Sequence, residues 1–599
     1  MSAEPRAWPA IGYLDGLRPA PDWEVESAIL AAYSADPVSI VAALLALVGR
    51  DDEDRPMSRR DLADAIEALR NRVRIVVQRG RLAKMSNTPR LAGVLDQFVR
   101  DVPFDERRQS WHPKAALVRL RNGKDVEWRL WIGSRNLTVS ENRDLGLLLV
   151  SGPGGRGRNV PGVGDIAGAL VDRAGLPGLS AARIAVEVAS LKWRSPAGVR
   201  VDRMRISRGD GAWSLPDLPS RVDAVTVVSP FLDAGFLAHV RKTECAPGGR
   251  RLLSTLLEIE RLAGTCATFG ELLALDAPDY PAASVPTRDH EETVALSEGE
   301  EIGRGLHAKL LHIRQGERRR FWVGSANATR RAWTGRNVEI IAELSVDEAV
   351  EAGLLELLRS ARPVRLPDDA DPTDAEPSTD RLDRARVEVS AGWRGEIHWD
   401  AAGLRLRHPA GLHPSDPDIR LGAGLITTGL VAWPNGQEEL DLGDVEEADR
   451  TELVQLRLTL EGAMCEWIVH APATPTFGVE RDRAAFMRLM GARDFLLWIA
   501  DCLRGAVAAP DGPDWTDDQP ERTTGEARLS WTDGLPTQEE ILSVWTRSPD
   551  VYASVRQRVQ AFLPALLEQT RTSDPDGHGR LQAFDRMWRT LEQGLGVKS

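Results

Sequence analysis

The chain has 599 residues, 42% hydrophobic and 28% charged, the composition of a globular protein too long for one core and expected to hold roughly three or four domains. No uninterrupted apolar run approaches the ~20 residues of a membrane span, and Met1–Pro9 lacks the basic-then-apolar order of a secretory signal, so a cytoplasmic protein without membrane attachment is expected. The net charge of −13 excludes a uniformly basic nucleic-acid binder but leaves room for basic clusters.

In chain order, residues 1–200 read as a first α/β lobe with its body from about Ile29 to Ser190. Helices are predicted over Ser39–Val48 and Arg59–Leu69, and a buried strand over Ile75–Gln78. Arg70–Arg90 carries seven basic residues and no acidic one. His112-Pro113-Lys114 opens an apolar run, His112–Leu120, that reads as a strand. A second strand, Arg129–Ile132, leads into Gly133-Ser134-Arg135-Asn136-Leu137-Thr138. The Gly-rich stretch Ser151–Gly164 reads as a loop, with a helix from about Asp165.

Residues 201–366 read as a second lobe, opening with the β-branched run Ala224–Ser229. Here the pattern returns: His307-Ala308-Lys309 in the apolar run Leu306–Ile313, a strand Arg320–Val323, then Gly324-Ser325-Ala326-Asn327-Ala328-Thr329. Arg129 and Trp131 match Arg320 and Trp322, so a whole strand-and-turn unit is repeated. Pro367–Asp380, with three Pro, six acidic residues and no basic one, is a linker composition spanning about 367–382. In 383–478 the alternations Ala385, Val387, Val389, then Leu404, Leu406, then Leu456, Leu458, Leu460, with a hairpin signal at Asn435-Gly436, predict an antiparallel β domain of sandwich type. From Arg481 the periodicity turns helical through 479–599, with Trp498 and Trp545 expected in a core, a polar gap near Pro510–Pro520, and Thr537 and Glu540 at capping-box spacing. Cys245, Cys266, Cys465 and Cys502 are far apart and form no Cys-x-x-Cys pair, so neither a zinc cluster nor structural disulfides are expected.

Each copy of the repeat offers an imidazole, an ammonium, a hydroxyl and an amide. That set suits a tetrahedral anion: Lys neutralises charge, Asn and Ser donate to oxygens, and His attacks or carries a proton. Cleaving a phosphodiester through a covalent intermediate wants two such imidazoles, one on each side of phosphorus. A lone His-x-Lys would be an ordinary strand feature, but two followed by the same turn are not. His312, on the opposite strand face, reads as a packing residue.

With these residues the chain resembles the phospholipase D superfamily, whose signature is His-x-Lys with a downstream Gly-Ser-x-Asn, usually present twice. The resemblance covers roughly the first 365 residues. It implies two pseudo-twofold-related α/β lobes sharing one active site, with neither metal nor other cofactor. Carried over by position, His112 and His307 would be nucleophile and general acid. Lys114, Lys309, Asn136 and Asn327 would bind phosphate oxygens, with Ser134 and Ser325 in support. The acidic residue that orients a His in the family is offered by Asp144 in the first copy and Glu339 in the second. One departure is the Asp that the family places five residues after the Lys: Arg119 and Arg314 stand there, which argues mildly against the lipid-processing branch.

The expectation is therefore a metal-independent phosphodiesterase acting on nucleic acid, DNA before RNA, in foreign-DNA defence beside a helicase or other ATPase, since the chain has no phosphate-binding Gly-Lys-Ser/Thr loop of its own. Arg314, Arg318, Arg319, Arg320, Arg330 and Arg331, which bracket the second turn, are the expected nucleic-acid contacts. A phospholipid phosphodiesterase or phosphatidyltransferase and a non-catalytic nucleic-acid-binding subunit are the alternatives.

Overall fold

The computed structural model describes residues 8, 12–49, 59–84, 92–139, 142–152, 157–275, 305–366, 378–507 and 535–595. It is a mixed α/β fold in which two α/β lobes are followed by a β region and a helical region. In the first lobe, strands β1 (Glu24–Ala32), β2 (Val73–Gln78), β3 (Val99–Val102), β4 (Ala115–Asn122), β5 (Asp125–Gly133) and β6 (Gly146–Ser151) form a sheet in the order β3-β2-β1-β4-β5-β6. In the second, β7 (Val199–Ile206), β8 (Ala224–Val228), β9 (Arg250–Ser254), β10 (Glu271–Ala274), β11 (Leu310–Gln315), β12 (Arg318–Gly324) and β13 (Ile340–Val346) run β10-β9-β8-β11-β12-β13-β7, with the short strand Arg362–Pro363 beyond β10.

The shared part is the same sheet built twice. Three parallel strands (β1, β2, β3 or β8, β9, β10) meet three antiparallel ones (β4, β5, β6 or β11, β12, β13). Parallel strands buried on both faces must be apolar throughout, and Ala224-Val225-Thr226-Val227-Val228 is buried at every position. One hydrophobic cluster runs from Leu117, Leu130 and Leu149 of the first lobe to Leu310, Phe321, Val323 and Ile340 of the second.

Both His-x-Lys segments precede their strands instead of lying within them: β4 begins at Ala115 and β11 at Leu310. The reason is visible in the backbone. His112 N–H donates to Val338 O (3.0 Å) and His307 N–H to Arg143 O (3.0 Å), so each motif pairs with the other lobe before its own sheet begins.

In the β region, Glu396–Asp400, Gly403–Arg407, Glu439–Gly443 and Ala473–Thr474 make one sheet. Arg420–Leu425, Val431–Trp433, Leu453–Leu460 and Ala463–His470 make another, completed by Leu82–Ala83 of the first lobe. This region and the lobes fall in one compact unit, drawn from Met1–Arg55, Ala65–Asp444 and Thr451–Pro475. The alternation at Ala385, Val387 and Val389 is not a strand but part of a helix, Ser378–Gly392. Its buried residues Leu382, Ala385, Arg386 and Val389 have helical spacing. Asn435-Gly436 closes no hairpin: Gly436 takes φ 80°, but the flanking strands belong to different sheets.

The second compact unit, drawn from Pro56–Asp64, Val445–Arg450 and Thr476–Ser599, is helical. It contains Val479–Val507, broken at Gly491 (φ 67°), then Gln538–Arg547, Pro549–Ser573 and Pro575–Gly594. The Thr537–Glu540 capping box is present. Trp498 is buried against Phe562, whereas Trp545 lies at the surface. Most of the acidic linker and the gap at Pro510–Pro520 lie outside the described residues.

Candidate active site

Each lobe delivers its Gly-Ser-x-Asn turn from the end of the strand that pairs with the His-x-Lys strand. Glycine is required there by close approach: a Cβ on Gly133 would lie 2.5 Å from Leu145 O, and one on Gly324 2.0 Å from Ile340 O. The turn is pinned by an aspartate that also caps the lobe's first helix. Asp36 accepts from Ser39 N–H (2.8 Å) and Val139 N–H (2.7 Å) while its own N–H donates to Leu137 O. Asp233 repeats the device with Phe236 N–H, Arg330 N–H and Ala328 O.

The four motif segments converge between the lobes, and the carboxylates cross over. His112 Nδ1 lies 2.9 Å from Glu339 of the second lobe, and His307 Nδ1 lies 2.7 Å from Asp144 Oδ1 of the first. Backbone bridges set this up: Trp111 pairs with Val338, the residue before Glu339, and Leu306 pairs with Arg143, the residue before Asp144. Each carboxylate is held by the serine of its own lobe, Ser134 Oγ donating to Asp144 (2.6 Å) and Ser325 Oγ to Glu339. Lys114 Nζ donates to His112 O (3.2 Å) and Lys309 Nζ to His307 O (2.8 Å). His112, Lys114, Ser134, Asn136, His307, Lys309, Ser325, Asn327 and Glu339 are all buried.

The two halves are not electrostatically equal. Burial pushes His112 well below its ordinary range, and the charges of Lys114, Lys309 and His307 push it further, which favours the neutral imidazole. Burial lifts Glu339 to about 7, against the pull of Lys114 and hydrogen bonds from Ser325 and Asn337. Burial also acts to raise Asp144, but the charge and hydrogen bond of His307, Ser134 and Lys309 together hold it below the usual carboxylate range. An ionised Glu339 accepting Nδ1–H leaves the Nε2 lone pair of His112 available.

Position by position, the ten motif and carboxylate residues expected from the sequence come together. Of the six expected nucleic-acid arginines, Arg330 and Arg331 lie beside the motif cluster, while Arg314, Arg318, Arg319 and Arg320 lie farther along β11 and β12. Arg318, Arg319 and Arg320 start β12 and Arg314 sits across from them on β11, so the first three lie six, five and four residues, roughly 20 to 13 Å of extended chain, before Gly324. Arg319 pairs with Glu351 (2.7 Å) and Arg320 with Glu343 (3.5 Å). Arg331 points to Asn337 Oδ1 (2.8 Å), Glu106 O and Ser110 Oγ, bracing the cross-lobe bridge. Arg330 is exposed beside the turn. In the basic stretch from Arg70, Arg79 and Arg81 turn inward onto Asp101 and Glu106. His312 is buried against Thr226 and Glu351, away from the motif cluster.

Residues not legible as site members include Tyr33 and Asn337. Tyr33 N–H donates to Asn136 Oδ1 (3.2 Å), and its ring lies 5.1 Å from that of His112 and 5.4 Å from Lys114 Nζ. The pairing of β1 with β4 and of β8 with β11 makes Pro230 the counterpart of Tyr33. Proline has no N–H, and Asn327 Oδ1 is buried without a hydrogen-bond partner among the described residues.

A cavity of about 790 Å³ adjoins the site, with Asn136, Asp144 and Arg135 in its wall and Tyr13, Trp131, Leu147, Phe321 and Leu344 making much of the rest apolar. Among the described residues no group of three or more His, Cys, Asp or Glu is arranged to hold a metal ion, and no helix is long and apolar enough to cross a membrane.

No protein-family model matches the chain, and no curated protein matches it. Among solved structures it is similar to phosphatidylserine synthase from Haemophilus influenzae Rd KW20, at a TM-score of 0.30 and 10% sequence identity, over 59% of this chain and 84% of that one.

Proposed function

We propose that this chain is a metal-independent phosphodiesterase of the phospholipase D type that cleaves nucleic acid, DNA before RNA, through a phosphohistidine. The observation that carries the reading is the pair of buried imidazoles, each oriented at Nδ1 by the other lobe's carboxylate. In the first step His112 Nε2 attacks phosphorus, the P–O bond to the leaving group breaks, and His307 gives that oxygen a proton. In the second, His307, now neutral, takes a proton from water as the water oxygen bonds to phosphorus and the P–N bond to His112 breaks. Lys114, Lys309, Asn136 and Asn327 stabilise the charge on the non-bridging oxygens throughout. His112 is assigned as nucleophile because the enclosed Glu339 holds its Nδ1, leaving Nε2 to react, and burial acts against a charged imidazole there.

Nucleic acid is the first choice of substrate because exposed arginines flank the site segments: Arg107, Arg108, Arg143, Arg330 and Arg336 are each within five residues of a motif residue or carboxylate. A role beside an ATPase in foreign-DNA defence belongs to the same proposal, as does a cytoplasmic location. A second reading, a phospholipid or other amphiphilic phosphodiester, is favoured by one observation, the largely apolar cavity beside Asn136 and Asp144. Labelled single- and double-stranded DNA, RNA and phospholipid vesicles, each incubated with the full chain in EDTA, separate the two. The nuclease reading expects cleaved polynucleotide and intact lipid; release of a lipid headgroup alone would replace it with the second. Loss of all cleavage in EDTA, restored by Mg²⁺, would refute the mechanism.

A further inference from the structure

Behind the first lobe's half of the site lies a buried polar chain that no step above uses. Tyr33 Oη donates to Glu106 Oε2 (3.1 Å). Glu106 is gripped by Arg81, with Nε at 3.0 Å from Oε1 and Nη2 at 2.6 Å from Oε2. Arg386 Nη2 reaches the same Oε2 at 3.5 Å, the longest link. Arg386 stands on the helix Ser378–Gly392, beyond both lobes in sequence. Its other nitrogens are fixed, Nη1 donating to Gly80 O (3.0 Å) and Nε to Asp383 Oδ1 (2.8 Å).

The local backbone is shaped for this contact. Gly80 takes φ 82°, and a Cβ there would meet Ser390 Oγ at 2.2 Å, so the helix could not sit where it does over any other residue. Tyr33, Arg81 and Arg386 are all buried. Burial acts to raise the Glu106 carboxyl, yet the two guanidinium groups hold it down at about 2, so the chain carries a fixed negative charge between them.

At its other end Tyr33 touches three members of the site: the ring of His112, the ammonium of Lys114 and, through its backbone N–H, the amide of Asn136. A ring in that position limits where the imidazole can swing. Its hydroxyl is the only polar handle by which the ring can be held. The second lobe has proline at the equivalent place and no such brace.

We propose that Tyr33 is a positioning residue for His112 and Lys114, and that the helix Ser378–Gly392 sets its position through Arg386 and Glu106. This rests on the reading of His112 as a reacting group. The helix that leads into the β region is thereby part of the catalytic apparatus, and the acidic segment before it does not divide an active unit from a dispensable one.

The test uses the full chain with bis(p-nitrophenyl) phosphate, and His112→Ala as the blank. Tyr33→Leu should lower kcat ~10²-fold, the cost of an imidazole displaced by about 1 Å, with KM within about twofold. Arg386→Met should lower kcat about tenfold, the scale of coupling within one hydrogen-bonded network, and Arg386→Lys should recover most of that. In a Tyr33→Phe background, which keeps the ring and removes its handle, Arg386→Met should cost nothing further. Equal cost of Arg386→Met in both backgrounds, or a loss confined to KM or melting temperature, would overturn the proposal. If the wild-type chain turns over no phosphodiester, the functional reading fails separately. The imidazole ¹H–¹³C resonance of His112, assigned by its loss in His112→Ala, then decides. Arg386→Met should shift it in the parent and leave it in place in Tyr33→Phe; an unmoved resonance in the parent overturns the relay.

Discussion

In the first lobe Asn136 is bound to the backbone of Tyr33 and Ser34, and the imidazole beside it lies against an aromatic ring; in the second, Pro230 replaces that ring and Asn327 Oδ1 meets no donor among the described residues. The carboxylates differ in the same sense. Glu339 is fully enclosed and sits near neutrality, whereas Asp144 is partly open, ion-paired with Arg135 (3.3 Å) and firmly ionised. A repeated motif has thus been given two environments, and the proposed roles follow that difference. The braced, neutral half suits a nucleophile that must hold one geometry through two steps, while the half with the permanent anion suits an imidazole that carries a proton.

That contrast breaks first at the imidazoles. His112→Ala should lose more than ~10⁴-fold in activity and form no phosphohistidine. His307→Ala should lose ~10²–10⁴-fold but still trap the adduct from a substrate with a good leaving group. Mass spectrometry of each variant mixed with substrate reads this directly, and an adduct on His307 would reverse the assignment. Next come the carboxylates. Glu339→Gln should cost ~10³–10⁴-fold by leaving His112 in the wrong tautomer. The pH profile sharpens the point. Glu339 must be ionised to accept from His112, and it gains a proton as pH falls through about 7, so activity should drop ~tenfold per unit below that value. Asp144, held below the usual carboxylate range, adds no limb near neutrality. The limb should vanish in Glu339→Gln and persist in Asp144→Asn; its survival in Glu339→Gln would assign it elsewhere.

The amides should show a smaller, more diagnostic difference. Asn136→Ala and Asn327→Ala each remove one donor to the phosphate, worth ~10²-fold. Only Asn136→Ala should also destabilise the fold, by about 1–3 kcal/mol, because it strands the buried N–H of Tyr33. Thermal unfolding of both variants compares them; equal losses would mean that Asn327 has a structural partner after all. The smallest effects belong to the arginines. Arg143→Ala and Arg336→Ala should each reduce the salt dependence of DNA binding by about one unit of slope, and Arg318→Ala and Arg320→Ala by none. The reverse result would make the β11–β12 hairpin the binding face.

The repeated motif was fully legible in the sequence because its chemistry is local: His-x-Lys and Gly-Ser-x-Asn each occupy a few consecutive residues. Asp144 and Glu339 were legible as candidates, but their exchange between lobes was not, since it depends on bridges from Trp111 to Val338 and from Leu306 to Arg143 that span the chain. Tyr33 carries no local signal at all; only β1, ending just before it, brings it to His112. Arg318, Arg319 and Arg320 are near the turn in sequence but start the strand that ends in it, a separation that strand direction sets and sequence proximity does not show. At Ala385–Val389 the two-residue alternation coincided with part of a helical stripe, and Leu382, three residues earlier, was the residue that favoured the helix.

The crossing of carboxylates has a consequence for the life of the polypeptide before it is finished. A ribosome that has released the first lobe has made His112, Lys114 and Asn136 but not Glu339, and the tautomer of that imidazole is still undetermined. An emerging fragment that ends before residue 339 lacks the carboxylate that holds His112, and Arg386 follows later still. Under the proposed reading, the order in which the parts are made leaves the centre incomplete until Glu339 has been added.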